Sequence, residues 1–335
     1  MVKISVVMPT YNTAVEVLQE AVESILNQTL QDFEFIIIDD GSTNDSVAYL
    51  QGLQDERIKL IRNPENLGIT KSLNIGLRQA KGKYIARMDS DDISLPTRFE
   101  KQFKFMERHP DVIACGTQRE YFGAYQRVQL EKITDMDNYR ISLLFINPGP
   151  THPTVFFRHD MLIKHHIMYD EKLIYAQDYG MWSEICKFGR VCILEEVLLR
   201  YRTHKNQICK THREKQIECD KITQEKLLRE LLGNVSKEEL DFHYFYSTGY
   251  YKEAKINQDV INWYQRLIQE NKKKQIYHQR KFRRYIYRVI LRRTIRQSFD
   301  VNTSFLNRAG MYFHYLPFGI ALRTVIGERL RALSG

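Results

Sequence analysis

The chain has 335 residues, 43% of them hydrophobic and 27% charged, a composition that excludes domain-scale disorder and suits one large domain plus an extension. Its formal charge of +9 belongs to one segment: residues 272–296 hold eleven Lys or Arg and no Asp or Glu, and the rest of the chain is slightly acidic, so the basic character indicates a local anionic partner. Five cysteines (Cys115, Cys186, Cys192, Cys209 and Cys219) without a Cys-x-x-Cys pair speak against a disulfide scaffold and give no spacing that supports zinc.

In chain order, the first ninety residues alternate strand and helix signals. Ile4–Met8 is a short β-branched run stopped by Pro9, too short for an export signal. Val15, Leu18, Val22 and Ile25 recur at helical spacing; Phe33–Ile38 is a nearly continuous apolar run. Runs of that kind read as strands buried on both faces, as parallel sheets require. Residues 46–53 read as a helix, 58–61 as a strand, 69–80 as a helix and 82–88 as a fourth strand. This alternation predicts an α/β, doubly wound, mostly parallel sheet. A helix over 96–109 follows, residues 112–175 give no clear assignment, 178–188 reads as a helix and 191–201 as one or two strands. From about Glu214 the pattern is helical, with a break at Leu232-Gly233-Asn234. We place the boundary between an α/β domain (1–212) and a helical, basic extension (213–335) near residue 212.

Ligands on open parallel sheets bind beyond the carboxyl ends of the strands. Thr10-Tyr11-Asn12, Asp39-Asp40, Asn63–Asn66 and Asp89–Asp92 all follow strand runs, so they share one rim. Asp89, Asp91 and Asp92 crowd three carboxylates together, an arrangement that suits Mg²⁺ or Mn²⁺. The same residues also read as a solvated acidic turn, or as the N-cap of the helix beginning near Pro96. Asp178, in Tyr175-Ala-Gln-Asp-Tyr179, reads as a helix cap or as a general base.

The chain resembles glycosyltransferase family 2, the inverting enzymes of the GT-A fold. The likeness rests on Ser5–Asn12, Ile38–Thr43, Asn66–Gly68 with Ser72–Gly76, Gly82–Asp92, Gln177–Tyr179 with Trp182, and Tyr201–His204, in that order over residues 3–210. Within the family it is similar to bacterial lipooligosaccharide and capsule β-1,3-N-acetylglucosaminyltransferases, at Ser72–Gly76, Tyr84–Arg87 and Tyr201–His204. The resemblance implies a GT-A catalytic domain with a nucleotide-sugar half (about 1–95) and an acceptor half (about 96–212). Thr10 and Tyr11 would line a uridine pocket and Asp40 would meet the uracil. Asp89 would meet the ribose or donor sugar, and Asn12, Asn66, Lys71 and Ser90 would complete the donor-binding set. Asp91, with His204, would ligate Mn²⁺ or Mg²⁺. Asp178 would be the catalytic base, although Gln177 stands where the family commonly has Glu; His152 falls near the acceptor side. The partners implied are a UDP-sugar, with UDP-GlcNAc first, and an oligosaccharide or lipid-linked glycan acceptor.

Such a transfer needs a charge-stabilised leaving UDP, a base opposite it, and exclusion of water; the stretch 203–213 is a candidate closing loop. Arg280, Arg284, Arg288, Arg292 and Arg296 recur every four residues, with Phe282, Ile286, Val289 and Ile290 opposite. That pattern fits an interfacial helix on an anionic membrane, or a solvated helix packed in a bundle; no motif supports a nucleic-acid partner. The apolar stretch 311–326 would dock on lipid or protein. The expected location is cytoplasmic, with the inner face of the plasma membrane as a peripheral station. A pyrophosphorylase or a NAD-binding domain would need a Gly-rich phosphate loop that Pro9–Asn12 does not provide, and a degenerate scaffold protein would lack the metal or base carboxylate.

Overall fold

The structure, a computed structural model, describes residues 2–133, 135–204, 212–248, 256–300 and positions 317, 319 and 321, without the side chains of 294–300. The candidate closing loop lies mostly outside the described residues, as does nearly all of 311–326. Two compact units form: residues 1–136 with 147–223, and residues 137–146 with 224–335.

The first unit is built on a nine-stranded sheet. Its first half consists of β1 (Ile4–Thr10), β2 (Phe33–Asp39), β3 (Ile58–Arg62) and β4 (Tyr84–Arg87), all paired in parallel in the order β3-β2-β1-β4. Every residue of β1 and β4 is buried, which is why these segments are mainly apolar instead of alternating. The connecting helices are α1 (Val15–Leu26), α2 (Ser46–Gln51) and α3 (Ile69–Gln79). Helix α1 buries Leu18, Ala21, Val22 and Ile25, one stripe at 3.6-residue spacing. Gly76 lets α3 lie close on the sheet, since a Cβ there would stand 2.4 Å from Val7 Cγ1.

The second half of the sheet contains β5 (Ile93–Ser94), β6 (Val112–Gly123), β7 (Arg127–Gln129), β8 (Phe156–Arg158) and β9 (Arg190–Thr203). Strand β8 joins the halves, antiparallel to both β4 and β6, and the order continues β8-β6-β9-β5. The region without a clear sequence assignment thus holds a twelve-residue strand, β6. Helices α4 (Arg98–Arg108), α6 (His159–Lys164) and α7 (Gln177–Ile185), and a 3₁₀ turn at His152–Thr154, complete this unit. Its core packs Phe33, Phe99 and Phe156 ring to ring at 5.7–5.8 Å around the buried Met8, Phe35 and Ile37.

The second unit gathers most of α5 (Met136–Leu143) with α8 (Arg213–Leu232), α9 (Lys237–Ser247), α10 (Gln258–Lys274) and α11 (Gln279–Asp300); α8 begins in the first unit. Phe145 is its centre, its ring 5.2–6.3 Å from those of His243, Tyr264 and Tyr285. Gly233 adopts φ 86° just after α8, matching the break read from the sequence. On α11, Phe282, Ile286 and Ile290 are buried in protein, while Arg280, Arg283, Arg284, Arg288 and Arg292 are exposed. The apolar stripe of α11 is thus covered by protein, as the bundle alternative for this helix expects. No helix among the described residues is long and apolar enough to cross a membrane.

Candidate active site

The carboxyl ends of β1, β2 and β4 meet as a linked set of turns. Asn12, at φ 49°, donates its backbone N–H to Ser42 Oγ at 2.8 Å and accepts the Thr43 N–H on Oδ1 at 2.8 Å. Asn is among the few residues tolerated in this left-handed region. Thr13 Oγ1 lies 3.0 Å from Thr10 Oγ1 and 2.8 Å from Ser90 Oγ, so hydroxyl contacts join the end of β1 to the acidic loop after β4. Tyr11 projects half-exposed beside a buried Thr10.

Asp39 and Asp40 are both buried but have different partners. Asp39 accepts the Ser42 N–H and pairs with Arg62 at 3.2 Å. Asp40 takes Asn63 Nδ2 at 2.7 Å and the Leu67 N–H at 3.0 Å on Oδ1, and the Gly68 N–H at 2.9 Å on Oδ2. Three of roughly four acceptor positions on that carboxylate are used, leaving one on Oδ2. Asn66 caps the same turn by accepting the Gly68 N–H; Lys71 is exposed in the first turn of α3. The turn approaches so closely that only Gly41, at φ 76°, fits against the backbone of Glu65 and Asn66.

The acidic loop gathers Asp89, Asp91 and Asp92, each with one carboxylate oxygen within 4.8 Å of the others. The helix-cap reading of these residues does not hold, because Thr97 occupies the N-cap of α4. Asp89 pairs with the buried Arg87. Asp92 accepts the Arg202 N–H at 2.8 Å on Oδ1, and its Oδ2 is buried without a partner. His204 Nε2 stands 3.3 Å from Asp91 Oδ2. Burial, and then the charge of Asp89, push the Asp91 carboxyl up; His204 and Arg87 oppose this. Asp92 is pushed up more strongly, by burial and then by Asp91 and Asp89. Like charges held this closely are relieved by protonation or by a cation. Hard oxygen donors, an orphaned buried oxygen and one imidazole fit a divalent ion of the Mg²⁺ or Mn²⁺ type.

Asp178 is the second residue of α7, whose N-cap is Ala176. It accepts Asn147 Nδ2 at 3.0 Å and the Tyr179 N–H at 2.8 Å. Burial raises its carboxyl above the usual range, against those two bonds and the charge of Arg87. His152 is buried and shares a 2.7 Å hydrogen bond with the Tyr169 hydroxyl; burial, then Arg87, hold it well below its usual value, so it is a neutral ring.

Sequence reading missed three contributors. Arg202 donates Nε to the Asp91 carbonyl at 2.7 Å and pairs with Glu20, holding the acidic loop to β9. Asn147 orients Asp178. Arg87 lies beneath the acidic loop. Each partnership except Arg87–Asp89 spans at least thirty residues of sequence, and no local pattern marks it; for Arg87 the available signal was a lone cation in an otherwise apolar strand.

Residues 5–165 match the model of the family described as glycosyl transferase family 2. An uncharacterized glycosyltransferase of Haemophilus influenzae is 34% identical over 230 residues, which is 65% of this chain and 71% of that protein. The amylovoran biosynthesis glycosyltransferase AmsE of Erwinia amylovora is 32% identical over 215 residues, 62% of this chain and 78% of that protein. Among solved structures, S. aureus TarS 1-349 in complex with UDP-GlcNAc superposes with a TM-score of 0.60 at 18% identity, covering 90% of this chain and 92% of that one. The Pyrobaculum calidifontis mannosyltransferase PcManGT, in complex with GDP-Man and Mn²⁺, gives 0.53 at 18% identity, over 72% and 69%. The structural neighbours share the GT-A-like sheet, and with a relative one-third identical over most of its length, the chain is a glycosyltransferase that belongs to family 2.

Proposed function

We propose that the protein moves a sugar, GlcNAc as the first choice, from a UDP-sugar to a hydroxyl of a growing surface glycan such as lipooligosaccharide or capsule, with inversion at the anomeric carbon. The observation that carries this is the single rim on which the Asp40 turn and the Asp89–Asp92 cluster are joined through Thr13 and Ser90. TarS, solved with UDP-GlcNAc, and AmsE, named for amylovoran biosynthesis, support the donor and the glycan class.

In this reading residues 1–95 bind the nucleotide sugar, 96–212 the acceptor, and 213–335 form the extension. Thr10, Tyr11, Asn12 and Asp40 line the uridine pocket, the last acceptor position on Asp40 taking the uracil N–H. Asn66, Lys71 and Ser90 complete the donor site, and Asp89 meets the ribose or sugar. Asp91 and His204 would hold Mn²⁺ or Mg²⁺, which when bound neutralises charge on the leaving diphosphate. Asp178 takes the proton of the acceptor hydroxyl as that oxygen attacks the anomeric carbon and the bond to UDP breaks. Its upward-shifted carboxyl makes it a stronger base than an exposed aspartate. The exposed arginines of α11 suit a lipid-linked acceptor on an anionic cytoplasmic membrane face, by surface charge and not by insertion. Release of UDP from a panel of UDP-sugars with Mn²⁺, with and without glycan acceptors, tests the reading; release from none of them rejects it.

A further inference from the structure

Glu131 follows β7, and its backbone is secured by one side chain: Gln118 accepts the Glu131 N–H on Oε1 at 2.6 Å and donates Nε2 to the Glu131 carbonyl at 2.8 Å. The Glu131 carboxylate is therefore not needed to hold this stretch to β6. Its contacts lie instead with the segment that leads into the 3₁₀ turn. Oε1 accepts the Thr151 hydroxyl at 2.9 Å and Arg119 Nη1, and Oε2 accepts the Thr151 N–H at 3.1 Å. The Arg119 and Glu131 side chains are mostly buried, and Arg119 Nη2 also donates to the Tyr121 hydroxyl at 2.7 Å. Thr151 is the N-cap of the turn, yet its hydroxyl does not cap it and goes to Glu131. Gly149, at φ 84°, lies against the same carboxylate, since a Cβ there would stand 3.1 Å from Glu131 Oε2. The Gly149 N–H donates to Asn147 Oδ1 at 3.3 Å, and Asn147 Nδ2 donates to Asp178 Oδ2 at 3.0 Å.

We infer that Glu131 is a positioning residue for the transfer: its carboxylate clamps the 149–151 backbone, which sets the Asn147 amide against the base Asp178. This rests on the role proposed above for Asp178. The path is a continuous run of contacts, from Glu131 to Thr151 and Gly149, from Gly149 to Asn147, and from Asn147 to Asp178. Asn147 is exposed, so packing does not fix its rotamer and its hydrogen-bond partners must. An N–H can bond only the oxygen of an amide, so the Gly149 N–H directs the Asn147 nitrogen to Asp178. Held by Asn147 on Oδ2 and by the Tyr179 N–H on Oδ1, the base carboxylate keeps one orientation toward an incoming hydroxyl, and such alignment is worth rate. An ion pair with Arg119 alone would occupy one carboxylate oxygen; the two bonds to Thr151 engage both and fasten the pair to the segment that carries Asn147.

The test follows the Asn147 side-chain amide resonance in ¹⁵N-labelled protein, assigned with Asn147→Ala. In wild type it should shift as Asp178 takes up its proton, and that shift should be absent in Asp178→Asn. In Glu131→Ala the pH-dependent shift is expected to be largely lost. Glu131→Gln, which offers one acceptor oxygen where the carboxylate has two, replaces the alanine variant if that does not fold, and a loss in the same direction is expected. In UDP release from UDP-GlcNAc with Mn²⁺, kcat should fall about tenfold or more in Glu131→Ala, while UDP affinity by calorimetry stays at the wild-type value. The double variant Glu131→Ala/Asn147→Ala should be no slower than Asn147→Ala, because both changes act on one contact, whereas a purely structural role for Glu131 would make the losses add. An Asn147 resonance that ignores Asp178 in wild type, a full pH-dependent shift in a folded Glu131 variant, or additive losses overturns the inference. Undiminished turnover in Asp178→Asn would instead remove the base assignment and leave the amide result standing, so the two failures are distinguishable.

Discussion

Gly41→Ala probes the turn that presents Asp40. Gly41 sits at φ 76°, and a Cβ there would lie 2.5 Å from the Glu65 carbonyl carbon, 2.8 Å from the Asn66 nitrogen and 2.9 Å from Glu65 Cα. All three are backbone atoms, so no side chain can rotate away. The left-handed conformation costs about 1–2 kcal/mol for an L-residue, and forcing the 65–66 backbone aside adds about 1–3 kcal/mol of overpacking. The expected loss is about 2–5 kcal/mol, read by urea denaturation of the first unit. The displaced backbone immediately precedes the Leu67 and Gly68 amides that hold Asp40. Losing one such charged hydrogen bond is worth about 1.5–3 kcal/mol, so the UDP dissociation constant measured by calorimetry should rise about tenfold or more. A variant with wild-type stability and wild-type UDP affinity would refute the account of this turn.

Three further outcomes are expected. Asp178→Asn should keep UDP-sugar affinity by calorimetry while turnover drops about 10²- to 10⁴-fold; an equal loss of binding would assign Asp178 to the donor site. Asp91→Asn, or chelation of the wild type with EDTA, should abolish the ion-dependent part of UDP binding, and affinity indifferent to both would count against the acidic cluster as the ion site. In the second unit His243 is buried, donates Nε2–H to the Leu144 carbonyl and accepts Trp263 Nε1 on Nδ1; burial pushes its pKa down to about 4. The unfolded chain takes up this proton below about 6.5 and the folded chain only near 4, so stability is fully present above 6.5 and lost as pH falls between those values. The total is about 3 kcal/mol. Denaturation at pH 7 and pH 4.5 should show it, and His243→Gln should flatten it; an unchanged pH slope in that variant would locate the acid sensitivity elsewhere.

The first half of the sheet was legible because β1, β2 and β4 are almost wholly buried and so consist mainly of apolar residues, with few interruptions, ending in polar turns. Those ends also gave the rim. Strand β6 was not legible. Its middle is Thr117-Gln118-Arg119-Glu120, polar residues kept in the sheet by partners elsewhere, among them Gln118 with Glu131 and Arg119 with Glu131. Register shifts against β9 blur its alternation further. In the site, the clustering of the aspartates was readable from four adjacent positions. The clamp of Arg202 on the same loop was not, because it joins residues 110 apart. The role of Arg87 was not legible either, since a single charged residue at a strand end ordinarily reads as solvent-facing.

The most direct measurement of the central claim is release of UDP from UDP-GlcNAc, UDP-Gal, UDP-GalNAc and UDP-Glc, with Mn²⁺ or Mg²⁺ and a panel of glycan acceptors, by wild type and Asp178→Asn side by side. The account predicts ion-dependent release from at least one donor, accelerated by acceptor and lost in the variant. No release from any of the four donors with either ion, or release that persists undiminished in Asp178→Asn, would contradict it.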